Sequence, residues 1–107
     1  DSVVIQLFNS SGVEVATTRH GLTGKTANLV GTAAQFQSIA FSAPYTAAPG
    51  VYYVAVQFNG TTAKFRTYSA AGLPYVAGTA AGTWGTKADI TPGTTFTADA
   101  GPIFITY

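Results

Sequence analysis

The stretch VYYVAVQFNGTTAKFRTY, residues 51–68, decides the fold class of this chain. Two runs of alternating β-branched and aromatic residues flank Asn59-Gly60, the pair that a two-residue type I′ turn favours because both central residues need positive φ. The stretch therefore predicts a hairpin in which residues 51–58 pair with residues 61–68. Lys64 and Arg66 then point to solvent, and the bulkier face is predicted to be core. That face carries Tyr52, Val54, Val56, Phe58 and Phe65.

A second hairpin is predicted over residues 3–18, turning at residues 9–12 (NSSG). The alternation places Val3, Ile5 and Leu7 on one face, which Val13 and Val15 are expected to join. A plain four-residue loop would instead set Leu7 opposite Glu14. We therefore expect Gly12 to occupy a left-handed bulge that shifts the register by one residue.

Short strands separated by turn clusters continue along the sequence, and no amphipathic helical period interrupts them. Weaker strand candidates are residues 74–77 and 87–90. This spacing predicts an all-β protein, an antiparallel two-sheet sandwich of about eight strands, with a jelly roll preferred over an immunoglobulin-like arrangement. The main predicted strands are residues 3–8, 13–18, 26–30, 36–42, 51–58, 61–68, 94–98 and 103–107.

Composition limits the classes of protein that remain. The chain has 107 residues, of which 47% are hydrophobic, 13% aromatic and only 8% charged, with a net charge of +1 and no Cys. One β-sandwich domain over residues 1–107 is expected, as a C-terminal or internal fragment of a longer chain. The aromatic content argues against disorder, and no apolar run is long enough to predict membrane insertion. The few, scattered basic residues give no footprint for nucleic acid, whereas low charge favours self-association.

Groups that could carry catalysis are few. His20 is the one His, and the acids are Asp1, Glu14, Asp89 and Asp99. No G-x-S-x-G elbow and no metal-ligand spacing occurs, so we expect no enzyme activity, no catalytic residues, no cofactor and no metal site. A calcium site at Asp89 or Asp99 would have too few carboxylates to offset the charge of the ion. We therefore interpret both residues as turn-capping residues.

Two asparagines lie in N-glycosylation patterns, Asn9-Ser10-Ser11 and Asn59-Gly60-Thr61. Both also stand where a hairpin turn favours Asn, and the turn is sufficient to explain each of them.

Aromatic residues outside the strand cores are the remaining candidates for binding. Tyr45 and Tyr53 fall in a loop and on an outward face, and Trp84 lies in a segment of small residues, VAGTAAGTWGT at 76–86. Loops at the end of a sandwich carry function disproportionately, and an aromatic ring there can stack on a sugar or anchor an interface. We predict a ligand site at Trp84 with Tyr75, although Trp84 could equally fold back to close the sandwich.

Residues 9–18 (NSSGVEVATT) and 44–62 (PYTAAPGVYYVAVQFNGTT) resemble the small β-sandwich domains of tailed-bacteriophage virion proteins, found in tail and fibre-like receptor-binding proteins. The resemblance extends over about a third of the sequence, and its motif is a Pro-Gly entry to a Tyr-containing strand. It implies a trimer on the virion that binds a host-surface glycan or protein, and it carries over no binding residue.

Two functions therefore stay open. The first is a non-enzymatic attachment or tail structural domain in the extracellular virion. The second is a carbohydrate-binding module of a secreted bacterial protein, since secreted accessory domains share the P-G-x-Y-Y strand entry. A trimer in solution favours the first function, and a monomer favours the second.

Overall fold

The computed structural model describes residues 2–18, 38–62, 68–69, 83–84, 89–91 and 99–100. Every regular element within these residues is a β-strand, and none is a helix, which confirms the predicted all-β class for them. The strands are β1 (Val3–Asn9), β2 (Glu14–Thr17), β3 (Tyr52–Phe58), β4 (Tyr68–Ser69) and β5 (Asp99–Ala100).

These strands form two antiparallel sheets. One has three strands in the order β2-β1-β3, and the other pairs β4 with β5. In the larger sheet β1 is central, with its sequence neighbour β2 on one side. On its other side, β3 pairs along the whole of β1, from Val3 opposite Phe58 to Asn9 opposite Tyr52.

The β1–β2 hairpin has the bulge that the sequence predicts. Gly12 has a φ of 81°, and Phe8 faces Glu14, as a one-residue shift at Gly12 requires. A second register shift, which the sequence does not predict, follows between Phe8 and Leu7 and sets Leu7 opposite Ala16. The Asn9 side chain shapes the turn, because its Oδ1 accepts the backbone N–H groups of residues 11 and 13 at 3.0 and 3.1 Å. A left-handed glycine and an Asx turn therefore set this register together.

The prediction that Val15 joins the Leu7 face is wrong, because the register shift between Leu7 and Phe8 leaves Val15 with no partner residue on β1. Val13, the other residue of that prediction, lies outside β2. Val13 is 39% exposed. Its backbone N–H and C=O both bond to Asn9, which holds Val13 in the turn rather than in the ladder. Ala16 faces Leu7 instead, and both of these side chains are buried.

The core is centred on β1, which is buried on both faces. Val3 and Leu7 are buried on one face, and Val4 and Phe8 on the other, with Phe8 only 1% exposed. A central strand covered on both faces shows no polar alternation, and this agrees with its sequence VVIQLFN. Gln6 is the one polar residue inside that run, and its Nε2 donates to Glu14 Oε2 on β2.

The predicted type I′ turn at Asn59-Gly60 is wrong. Among the described residues only Gly12 has positive φ, so neither Asn59 nor Gly60 adopts the conformation that such a turn requires. Residues 61–62 form a bend rather than a strand, and residues 63–67 of the predicted partner strand, with Phe65, Lys64 and Arg66, lie outside the described residues. The Asn59 amide is bonded instead to Ser2, just before β1.

The predicted core face of β3 is also wrong at Val54, which is 38% exposed. Val56 and Phe58 on that face are half-buried, and so are all three residues of the opposite face, Tyr53, Ala55 and Gln57. Alternation assigns side chains to two faces, but it does not tell how far other segments cover each face. The burial of β3 therefore does not distinguish a core face from a solvent face.

The other predicted strands have mixed outcomes. Residues 38–42 and 89–90 are not in strands, although the Ser42 N–H donates to the Thr17 carbonyl at 2.7 Å and the Ile90 N–H to the Gly12 carbonyl at 2.8 Å. Both segments thus run beside the sheet with isolated bonds rather than as ladders. The predicted strands at 26–30, 74–77, 94–98 and 103–107 lie wholly or mostly outside the described residues.

Candidate functional site

Three strand ends and a turn meet at one end of the larger sheet. β1 ends at Asn9, β2 begins at Glu14, and β3 begins at Tyr52, which pairs with Asn9. Because both pairings are antiparallel, the end of β1 lies between the beginnings of its two neighbours. We call this region the Asn9 end of the sheet.

All the large, exposed hydrophobic side chains of the described residues lie at or beside the Asn9 end. Val13 precedes β2, Val51 precedes β3 and is 63% exposed, Val54 lies opposite Leu7, and Tyr45 packs against Tyr52. Scattered exposed apolar residues are ordinary, but these four all lie near one end of the sheet, and this makes that end the candidate interaction surface of the described residues. We call these four residues, Val13, Tyr45, Val51 and Val54, the apolar patch.

The aromatic part of the patch is held in place by its neighbours. The rings of Tyr45 and Tyr52 meet edge to face, with centroids 6.3 Å apart and an interplanar angle of 72°. The Tyr52 hydroxyl donates to the Ala48 carbonyl at 2.9 Å, which ties the loop before β3 to the strand itself. An edge-to-face pair with one fixed hydroxyl presents an ordered aromatic surface rather than a freely rotating side chain.

The surroundings of Tyr45 favour its neutral phenol. Hydrogen bonding to Tyr52, with smaller contributions from desolvation and from the charge of Tyr52, raises the pKa of Tyr45 above its ordinary value of 10.0. Tyr45 is therefore uncharged at neutral pH, and it offers a ring and a hydroxyl together. The ring offers an apolar contact surface, and the hydroxyl offers a hydrogen-bonding group.

A distant segment of the sequence docks on the Asn9 end. Asp89 Oδ1 accepts the Glu14 N–H at 3.1 Å, across 75 residues of sequence, and the Ile90 N–H donates to the Gly12 carbonyl at 2.8 Å. The sequence predicts that Asp89 caps a turn, but its carboxylate accepts a distant backbone amide at the start of β2 instead. These two bonds fix residues 89–90 beside the turn.

Trp84 lies close to this region in sequence. It stands in a turn and is half-buried, and Thr83 beside it is exposed. Four residues lie between Trp84 and Asp89, and the five steps of backbone span at most about 18 Å. Trp84 therefore lies within that distance of Asp89. Tyr75, the other residue of the predicted ligand site, lies outside the described residues.

Sequence reasoning missed the aliphatic members of the patch. Val54 fits the pattern of a core residue because it alternates with Val56, and Val13 because it alternates with Val15. Val51 follows Pro49-Gly50 at a strand entry, and this is the one sequence signal that could have indicated exposure.

The described residues hold no group of three or more His, Asp or Glu side chains that could bind a metal ion. In the same part of the sequence, no helix is long and apolar enough to cross a bilayer. The Asn9 end offers aromatic rings, aliphatic side chains and phenolic hydroxyls to a partner, beside the carboxylates of Glu14 and Asp89.

Comparison of the sequence with protein-family models, with curated proteins and with solved structures found no match. The resemblance to phage virion domains therefore rests on residues 9–18 and 44–62 alone. In the structure these two segments meet, since the first forms the β1–β2 turn and the second leads into β3. The two segments thus adjoin at the Asn9 end, and the second continues along β3 to its opposite end.

Proposed function

We propose that this protein is a non-enzymatic attachment or tail structural domain of a virion, which oligomerises and binds a host-surface glycan or protein through the Asn9 end. The observation that carries the proposal is the apolar patch. In a protein with only 8% charged residues, the large exposed apolar side chains of the described part gather at one sheet end. An extracellular location on the virion follows from this role.

A two-sheet, jelly-roll-like sandwich of about eight strands is the fold proposed for the whole domain. Two observations support it. β1 is buried on both faces, so other parts of the protein must cover each side of the larger sheet. A second antiparallel pair, β4 with β5, belongs to a separate sheet. Loops at the end of such a sandwich are held by rigid sheets, which suits them to recognition.

Trp84 and Tyr45 are assigned the contact with the ligand, with Tyr75 as a further candidate from the sequence. Tyr45 packs edge to face against Tyr52, and Trp84 lies five residue steps from Asp89, which bonds to Glu14 at the Asn9 end. An aromatic ring in such a place contributes large contact area at low conformational cost, which is why aromatic residues dominate binding energetics.

The test is binding of the labelled protein to a glycan array and to whole bacterial cells. Trp84→Ala and Tyr45→Ala are each expected to abolish or greatly weaken binding, while the melting temperature and the solution mass stay close to those of the wild type. Thr61→Ala is the matched control, because Thr61 is exposed and follows β3 at its opposite end. This control should bind like the wild type.

Two results would contradict this assignment. Equal binding by the wild type, Trp84→Ala and Tyr45→Ala would place the ligand site elsewhere. Unfolding or dissociation of Trp84→Ala would make Trp84 structural rather than ligand-binding.

The alternative function is a carbohydrate-binding module of a secreted bacterial protein. The ordered pair of Tyr45 and Tyr52 favours it, because a phenol pair suits a sugar ligand. The solution mass separates the two functions: a monomer that binds glycans supports the module, and a trimer supports the virion domain.

A further inference from the structure

Asn59 joins the end of β3 to the residue that precedes β1. Its Oδ1 accepts the Ser2 N–H at 2.8 Å, and its own N–H donates to the Ser2 carbonyl at 3.2 Å. Ser2 is buried, whereas Asn59 and Gly60 are both exposed. We call this pair of bonds the Ser2–Asn59 clasp. The clasp therefore fixes the start of β1 through the side-chain amide of an exposed residue, Asn59.

The residue after Asn59 is glycine, which adds no side chain next to the backbone nitrogen. The Cγ of an Asn amide can be attacked by the nitrogen of the following residue, and a glycine there offers the least steric resistance. Asparagine is accordingly among the thermolabile residues of proteins. Exposure of both residues leaves water and hydroxide access to this peptide bond.

Asn9 provides an internal comparison, since it also ends a strand and also lies in a glycosylation pattern. Its Oδ1 accepts two backbone N–H groups, from Ser11 at 3.0 Å and Val13 at 3.1 Å. Asn9 is half-buried, and Ser10 with its side chain follows it. Closure of a ring at Asn9 would break two hydrogen bonds inside a tight turn, whereas closure at Asn59 breaks one.

From this contrast we propose that Asn59 is a site of spontaneous deamidation, with water as the co-reactant. The Gly60 nitrogen loses its proton to hydroxide and attacks Asn59 Cγ. The bond between this nitrogen and Cγ forms, Nδ2 takes a proton from water, and the bond between Cγ and Nδ2 breaks, so that ammonia leaves and hydroxide is regenerated. Water then opens the cyclic imide at either of its two carbonyl carbons and gives aspartate or isoaspartate.

The two products differ in their effect on the clasp. Aspartate keeps an oxygen where the Ser2 N–H donates, and its negative charge strengthens such a hydrogen bond. Isoaspartate routes the backbone through Cγ, which displaces the acceptor and lengthens the backbone at the end of β3. Deamidation also lowers the net charge from +1 to about zero, because an aspartate is ionised at neutral pH.

The test is incubation of the folded protein in mildly alkaline buffer, followed by peptide mapping with mass spectrometry that separates aspartate from isoaspartate. Conversion at residue 59 is expected to be severalfold faster than at residue 9, and to rise with pH. Gly60→Ala should slow conversion at residue 59 severalfold and leave residue 9 unchanged. Gly60 does not have positive φ, so alanine meets no backbone strain there.

Stability of the separated products completes the test. The isoaspartate form should melt at a lower temperature than Asn59→Asp. Equal rates at residues 59 and 9, or a rate at residue 59 that Gly60→Ala does not change, would overturn the proposal. These measurements do not involve ligand binding, so they are independent of the proposed function.

Discussion

At the scale of single residues, Thr18 shows how a buried polar group contributes to this fold. It is 1% exposed, and its Oγ1 accepts the Ile5 N–H at 3.0 Å, while its own N–H donates to the Ile5 carbonyl at 2.9 Å. β2 ends at Thr17, so the Thr18 hydroxyl extends the pairing with β1 where the ladder stops. A backbone donor of the core strand is satisfied in this way.

Thr18→Val is therefore expected to lower the free energy of unfolding by about 1–3 kcal/mol, because valine has the same shape but leaves the Ile5 N–H without its acceptor. Urea denaturation of the two proteins measures the difference. Thr46→Val is the control, since Thr46 is exposed, and it should change stability by less than about 0.5 kcal/mol. If both variants were equally stable, the Thr18–Ile5 bond would contribute nothing.

At the scale of elements, the β1–β2 hairpin depends on one backbone conformation. Gly12 is buried and has a φ of 81°, and its N–H donates to the Asn9 carbonyl at 2.9 Å. Its carbonyl accepts the Ile90 N–H, so the same residue that sets the hairpin register also receives the docking segment. A change at Gly12 therefore affects two parts of the fold.

Gly12→Ala should destabilise the protein by about 1–2 kcal/mol, the cost of left-handed backbone for a residue with a Cβ. Gly50→Ala is the matched control: φ is not positive there, and a new Cβ would lie 3.9 Å from Tyr52 Cε2, an ordinary contact. Its effect should stay within about 1 kcal/mol, because alanine restricts the unfolded state without straining the folded one. Thermal unfolding of both variants provides the measurement. Equal melting temperatures would contradict the strained position of Gly12.

The contrast between the two turns shows what the sequence can predict in this protein. The bulge at Gly12 depends on bonds to Asn9, only a few residues away, so the local sequence pattern was sufficient to predict it. Asn59-Gly60 has an equally strong local signal, but its amide is bonded to Ser2, 57 residues away. A hydrogen bond to a residue so distant in sequence cannot be predicted from the four residues of the turn alone.

The candidate site was predictable to a similar degree. Tyr45 and Trp84 stand out because they are aromatic residues in polar or small-residue loops. The exposure of Val54 was not predictable, because it depends on the pairing of β3 with β1 and on how far other segments cover that pair. Alternation predicts which face of the sheet a side chain lies on, but its exposure depends on which other segments cover that face.

At the scale of the whole molecule, low charge and a localised apolar patch favour assembly. A near-zero net charge provides little repulsion between copies, and Val51 and Val54 place aliphatic surface where a second copy can reach it. Buried apolar surface is the main driving force of such association.

The wild-type protein is expected to form a trimer at micromolar concentration, as measured by light scattering with size-exclusion chromatography. The double variant Val51→Lys with Val54→Lys should have a lower solution mass, because two charges would have to be desolvated at the contact. Thr61→Lys adds a charge at the other end of β3 and should leave the mass unchanged. A monomeric wild type across a wide dilution series would refute self-association of this protein.

The pairing of β1 with β3 has a consequence for how quickly the protein reaches its native state. The β1–β2 hairpin closes a turn of a few residues and can form within about 10 microseconds. The partner of Val3 on β3 is Phe58, so more than fifty residues must be brought into a loop before the central strand gains its second neighbour. Loop closure of that kind lowers conformational entropy before any contact compensates for it, and proteins dominated by distant pairings fold in milliseconds to seconds. During that delay, one edge of β1 stays open to strands of other molecules, so refolding yield should fall as protein concentration rises.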